Sequence, residues 1–137
     1  MGYLLDTNVV SELRKPRSDA AVAAWFASAA GQDLYLSVLV VGEIRRGIAR
    51  LERRDTAQAQ VYESWLATLV ETYADRILPV DTAVADRWGR LDAHGPFPVL
   101  DGMLAATALV HGLTLVTRNV TDVAGTGARL LNPWDHR

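Results

Sequence analysis

The sequence has no cysteine. Disulfide frameworks, thiolate-bound zinc and cysteine nucleophiles are thereby excluded, and the composition fits a reducing compartment. Histidine is scarce and scattered: His94, His111 and His136 show no pairing at metal-ligand spacing. Lys15 is the only lysine. The net charge of -2 argues against a protein that coats nucleic acid by charge alone, although local basic patches still allow an enzyme that binds RNA. No apolar run approaches transmembrane length, and the stretch that opens at Ser37 is interrupted by Glu43. The first ten residues carry no basic region ahead of their short apolar run, and Asp6 stands where N-myristoylation wants Ser or Thr. There is no phosphate-cradling glycine loop and no nucleophile elbow. A soluble, cytoplasmic protein with no membrane association is expected.

What is present is a folded composition. The chain has 137 residues, of which 50% are hydrophobic, enough for a single domain spanning 1–137 with one core. Strand and helix patterns alternate without repeats or linkers. Strands are expected at Tyr3–Leu5, Leu34–Leu36, Ile77–Val80 and Thr114–Thr117, with a further one at Arg129–Leu131. Helices are expected from Asp6 to Leu13, from a Ser18 cap through about Ala30, from a Ser37 cap through Arg53, and from Thr56 to about Ala74. Two more run from an Asp81 or Thr82 cap through Leu91 and from Leu100 to His111, where Gly112 stops the chain. Short strands separated by helices imply parallel crossovers: an α/β, three-layer fold with a short, mostly parallel central sheet flanked by helices. In such sheets functional groups gather beyond the carboxyl ends of the strands.

Acidic residues fall at such places. Asp6 directly follows the first strand, and Asp122 lies just past the fourth, after Thr117-Arg118-Asn119. Asp101 opens an otherwise apolar helix, and Glu43 interrupts the apolar stretch Val38-Leu-Val-Val-Gly. Each has an ordinary structural explanation. Asp6 can cap a helix, Glu43 can pair with Arg46 or Arg50 on its own helical face, Asp101 can sit on a helix dipole, and Asp122 can be a turn residue. Taken together they call for compensating positive charge, from arginine or from a divalent metal, because a buried lone carboxylate is costly. Oxygen ligands without cysteine favour Mg²⁺, with Mn²⁺ as a substitute, over zinc.

Four segments carry a family resemblance: Tyr3-Leu-Leu-Asp-Thr-Asn-Val-Val-Ser-Glu, Ser37-Val-Leu-Val-Val-Gly-Glu-Ile-Arg-Arg-Gly, Asp101-Gly-Met-Leu-Ala-Ala-Thr-Ala-Leu and Leu115-Val-Thr-Arg-Asn-Val-Thr-Asp. In this order and spacing they resemble the PIN-domain ribonucleases, and within them the VapC-type toxins of toxin–antitoxin pairs, over nearly the whole chain. The resemblance implies a metal-dependent endoribonuclease inhibited by a cognate antitoxin. It matches Asp6, Glu43 and Asp101 to the core catalytic, metal-binding acids and Asp122 to the more variable fourth. Val123 stands where the family often has an aromatic. Gly102 stands where a larger residue is common, and this is expected to loosen the start of its helix.

On this reading RNA is the substrate, hydrolysed with one or two Mg²⁺ ions, and Asp6 is the central ligand. Thr7, Asn8, Thr117 and Asn119 flank the acids and are expected to orient them. Arg46 and Arg50, at i+3 and i+7 from Glu43, are expected to guide phosphate, and Arg118 to touch phosphate or pair with an acid. The segment Ala20-Ala-Val-Ala-Ala-Trp-Phe-Ala is apolar nearly all round. It is expected to present Trp25 and Phe26 to an antitoxin helix or to a homodimer partner, the alternative being that the helix is central to the core. Rival folds fit less well. A phospho-acceptor receiver wants a lysine where Thr117-Arg118 stands, and a haloacid-dehalogenase-type phosphatase wants an Asp where Asn8 stands.

Overall fold

The computed structural model, which describes residues 2–29 and 31–137, places five short strands side by side. They are β1 (Gly2–Leu5), β2 (Asp33–Ser37), β3 (Ile77–Leu78), β4 (Thr114–Val116) and β5 (Leu130–Leu131). Their order is β3-β2-β1-β4-β5, and every pairing is parallel. Seven helices flank this sheet among the described residues: α1 (Thr7–Arg14), α2 (Ala20–Ser28), α3 (Val38–Glu52), α4 (Thr56–Thr72), α5 (Thr82–Asp92), α6 (Val99–His111) and α7 (Val120–Val123). The expected α/β arrangement is thus the observed one. The strands are apolar without alternation because both of their faces are covered. Leu4, Leu5, Leu36, Leu115 and Val116 are almost wholly inaccessible.

The chain builds outward from β1 to β2 and β3, then returns to place β4 on the other side of β1. The reversal opens a crevice beyond the carboxyl ends of β1 and β4, the position at which open α/β sheets assemble their sites. Asp6 and Thr117 are the first residues past those two strand ends. Asp6 N–H donates to Val116 O at 2.9 Å, which ties the two ends together.

Helix boundaries follow local chemistry. Ser37 caps α3 through Leu39 N–H at 3.0 Å, and Asp81 caps α5 through Val84 N–H at 3.0 Å. Gly112, at φ +66°, ends α6 in a Schellman turn. There Leu113 N–H reaches back to Ala108 O at 2.9 Å. The cap of α2 is Asp19, not Ser18: Asp19 Oδ1 accepts from Ala21 and Val22 N–H at 2.9 and 3.2 Å. A carboxylate suits a helix N-terminus better than a neutral hydroxyl. Ala30, the expected last residue of that helix, lies outside the described residues. The helix α7 falls on a segment for which no element was expected, and it contains Asp122.

The expected looseness at Gly102 is contradicted. Gly102 is buried, and a Cβ there would lie 3.3 Å from Trp88 Cδ1 and Nε1 and 3.4 Å from Phe97 Cβ. The missing side chain is what lets the Trp88 indole of α5 lie flush against the first turn of α6. We expect Gly102→Leu to cost about 1–3 kcal/mol through overpacking, read as a lower melting temperature. It should also reduce activity by displacing the adjacent Asp101. Undisturbed melting would show that Trp88 gives way freely.

Candidate active site

Asp6 is the best-anchored of the acids. It is 5% exposed. Its Oδ1 accepts Thr7 N–H at 2.6 Å, and its Oδ2 accepts the Thr117 hydroxyl at 2.7 Å. The first bond makes Asp6 the N-cap of α1, so the structural explanation of this residue holds as well. The second bond is long-range, joining the β1 end to the β4 end. Thr117 Oγ1 in turn accepts Asn119 N–H at 3.0 Å. On the other side Thr7 uses its hydroxyl to donate to Glu43 Oε1 at 2.6 Å. The sequence positions Thr7 and Thr117 therefore connect three chain segments into one polar network. Asn119 joins it through its backbone. Asn8 Oδ1 is buried and has no hydrogen-bond partner among the described residues.

Asp101 occupies the first turn of α6 without making a capping bond. Its carboxyl is pushed up to about 6, by burial first and then by the negative charges of Asp6, Asp122 and Glu43. Asp6 is also raised above the usual carboxylate range. Burial is the main cause and Glu43 adds to it, while the bonds from Thr117 and Thr7 offset part of the rise. The charges of Asp6, Asp122 and Glu43 thus all act on Asp101, and that of Glu43 on Asp6. Asp122 is the most exposed of them, held on α7 at the rim.

The ion pairs Lys15–Glu12, Arg45–Glu63, Arg76–Asp75 and Arg90–Asp86 lie elsewhere and do not touch the cluster. Nor do three of these acids close around one point to form a ready chelate, among the described residues. Carboxylate oxygens of this kind suit Mg²⁺, which keeps several waters and takes one or two carboxylates. The donor set is all oxygen, and the orphaned Asn8 acceptor lies on the chain two residues from Asp6.

Arg46 and Arg50 are exposed and do not line the cavity beside Glu43. Arg118 leaves the cluster altogether: its guanidinium lies 4.8 Å over the Trp134 ring and its charge acts on Glu12. The cavity, of about 420 Å³, opens beside Thr7 and Glu43 and runs between α1, α3 and α4. It is lined by Arg14 and Arg54, which sequence reasoning did not select. Helical spacing from Glu43 picks out one face of α3. It carries no information about α1, which supplies Arg14, or about α4, which closes the far wall.

Trp25 is not a surface anchor. It is 3% exposed and packs edge-to-face on Tyr3 of β1, with ring centroids 5.4 Å apart and an interplanar angle of 89°. Phe26 is half-buried and lines a smaller cavity with Leu13, Trp65 and Tyr73.

Comparison with known proteins gives consistent results. Residues 3–121 match the PIN domain profile. The chain is 35% identical over 136 residues to Toxin FitB of Neisseria gonorrhoeae, covering 96% of this chain and 97% of that one. It is likewise 35% identical over 140 residues to VapC ribonuclease Y4jK of Sinorhizobium fredii, covering 96% and 97%. Among solved structures it superposes on the crystal structure of FitAcB from Neisseria gonorrhoeae with a TM-score of 0.88 at 35% identity, covering 97% of this chain and 99% of that one.

Proposed function

The chain belongs to the PIN domain family, and from that membership we propose that it is a metal-dependent endoribonuclease, the toxin of a toxin–antitoxin pair. The observation that carries this reading is the polar network that joins Asp6, Thr7, Glu43 and Thr117 at the β1–β4 crevice, beside an Asp101 carboxyl raised by burial and by the neighbouring charges of Asp6, Asp122 and Glu43. Such a cluster is stable at neutral pH when a cation supplies the missing charge. Relatives named as a VapC ribonuclease and a toxin support the choice of RNA as substrate and of toxin as role.

Asp6 and Asp101 would hold the ion, with Glu43 and Asp122 contributing directly or through water. Mg²⁺ is the proposed ion and Mn²⁺ its substitute. When bound, it would supply Lewis-acid polarisation of the phosphodiester and a lowered pKa for the attacking water. The chain's own part is to fix carboxylate orientation. Thr117 and Thr7 lock both oxygens of Asp6, and the Thr7 hydroxyl holds Glu43 at the mouth of the cavity. Hydrolysis then adds water to phosphorus and releases the leaving ribose oxygen with a proton, with no covalent intermediate on a side chain.

The proposed partners are an antitoxin protein and a second copy of the chain. Phe26 remains accessible to such a partner, whereas Trp25 does not. No helix among the described residues is long and apolar enough to cross a membrane, which is compatible with the cytoplasmic location proposed for a toxin that meets RNA.

The test is cleavage of labelled single-stranded RNA by purified protein. We expect activity with Mg²⁺, its loss in EDTA, and its return with excess Mg²⁺ or Mn²⁺. Cleavage that survives exhaustive chelation would overturn the metal mechanism, and no cleavage of any RNA under these conditions would overturn the enzymatic reading.

A further inference from the structure

Arg14, the last residue of α1, is half-buried and has no carboxylate partner among the described residues. Aromatic faces hold it instead. Its guanidinium carbon lies 4.3 Å from the Tyr62 ring centroid and 5.6 Å from that of Trp65. Stacking of this kind fixes the plane of the guanidinium; one N–H is used on the Tyr62 hydroxyl, and the remaining N–H groups can meet an oxyanion. The Tyr62 hydroxyl is polarised by the same surroundings: its pKa is lowered, first by a hydrogen bond with Gln58 and then by the charge of Arg14. Arg54 lines the same cavity from the segment after α3, and its own guanidinium is exposed.

The cavity is therefore polarised along its length. One end is Thr7 and Glu43, bonded to each other at the acid cluster. Arg14 lies seven residues beyond Thr7 on the same helix, about 10 Å along its axis. The floor between them is apolar, built from Ile44, Ile48 and Leu51. A chain molecule seated here needs a reactive group at the acidic end, and negative charge with flat apolar surface further along. A single-stranded polynucleotide has both, since phosphates seek arginine and bases stack on aromatic and guanidinium planes. A basic peptide would meet two cations at the far end.

We propose that this cavity is the seat of the RNA strand flanking the cleaved bond. Arg14 and Arg54 bind backbone phosphates, and the Tyr62–Trp65 wall positions the bases between them. The proposal rests on the ribonuclease reading above and adds to it which residues carry the substrate. It replaces the expectation that Arg46 and Arg50 do so.

The experiment compares the unaltered protein with Arg14→Gln, Arg54→Gln and the double variant on a labelled single-stranded RNA long enough to span the cavity. Arg53→Gln removes the same charge next to Arg54 but outside the cavity, and serves as the control. For each cavity substitution we expect KM to rise about tenfold, with a much smaller change in kcat. Each should also make the salt dependence of binding shallower by about 0.7 in slope, the value for one phosphate contact on a single strand. Arg53→Gln should change neither. Arg54→Gln keeps the test decisive if loss of Arg14 impairs folding, because Arg54 is exposed. Unchanged KM and slope in the cavity variants, with the unaltered protein active, overturns the proposal. So does normal RNA binding combined with loss of a protein partner, which would make the cavity a protein seat. If the unaltered protein cleaves no RNA, it is the ribonuclease reading that fails. Fluorescence anisotropy with the same RNA then still decides, equal affinity of the unaltered and doubly substituted protein overturning the seat.

Discussion

Asp6→Asn is expected to reduce RNA cleavage by well over about a hundredfold while leaving the fold intact. Loss of a residue that merely orients a metal ligand typically costs about 10–100-fold, and Asp6 is proposed as the central ligand itself. The fold survives because an amide keeps the shape and one carbonyl oxygen, which still accepts the Thr7 N–H that caps α1. Its amino group can donate to Thr117 Oγ1 in place of the bond now running the other way. Stability should move in the opposite direction from activity. The folded protein raises the pKa of Asp6, through burial before all else, and that of Asp101 to about 6. A raised carboxylate pKa means that the unfolded chain ionises first. The stability associated with the protonated groups is complete below the ordinary carboxylate pKa of about 4. It is lost as pH rises through the folded values. Metal-free protein should therefore weaken between about pH 4 and the region of 6 set by Asp101. Asp6→Asn removes one of the charges responsible. It should melt higher than the unaltered metal-free protein at neutral pH and no higher in acid. Added Mg²⁺ should stabilise the unaltered protein more than the variant, since only binding to the folded state counts. Melting curves at two pH values, with and without Mg²⁺, check all three statements. Substantial cleavage by the folded variant would remove Asp6 from the mechanism.

The parts of this molecule that were legible in sequence are those governed by chain-local chemistry. A strand end followed by Asp-Thr-Asn marks Asp6. A serine ahead of an apolar helix marks the Ser37 cap, and a glycine after His111 marks the αL stop at Gly112. Asp6 and Asp122, each just past a strand, fall at one sheet edge once the strands are parallel. Side-chain direction is a different matter. Arg118 follows Thr117 immediately, yet the two point apart, because successive residues leaving a strand face opposite ways. Thr117 bonds Asp6 while Arg118 stacks on Trp134. Arg46 and Arg50 share a helical stripe with Glu43, but the cavity is defined by where α1 and α4 lie against α3, and no local pattern encodes that. A helix of four residues such as α7 is too short to show a period.

The segment Ala20–Ala27 shows how composition misleads when the residues are small. Read as a wheel, it is apolar on every side, which pointed to a surface seeking a partner. In the structure only Val22 and Trp25 of α2 are buried, three residues apart on one face, and the exposed positions are mostly alanine. An exposed methyl group costs little, so the apparent excess of apolar surface is small. Trp25 is consequently a core residue. Trp25→Ala should cost about 3–5 kcal/mol, the range for removing a large buried aromatic, including loss of the edge-to-face contact with Tyr3. Total stability of ordinary domains is about 5–15 kcal/mol, so this one change should lower the melting temperature by roughly 10 °C or more. It should reduce soluble yield as well. The effect should reach the site, because Tyr3 lies on β1, the strand that presents Asp6. Phe26→Ala, by contrast, removes a half-buried ring at the rim of a cavity of about 210 Å³ and should cost distinctly less. Thermal denaturation of the two variants side by side provides the measurement. If Trp25→Ala melts like the unaltered protein and loses only association with a partner, Trp25 does not anchor α2 on β1, and the helix presents an interface after all.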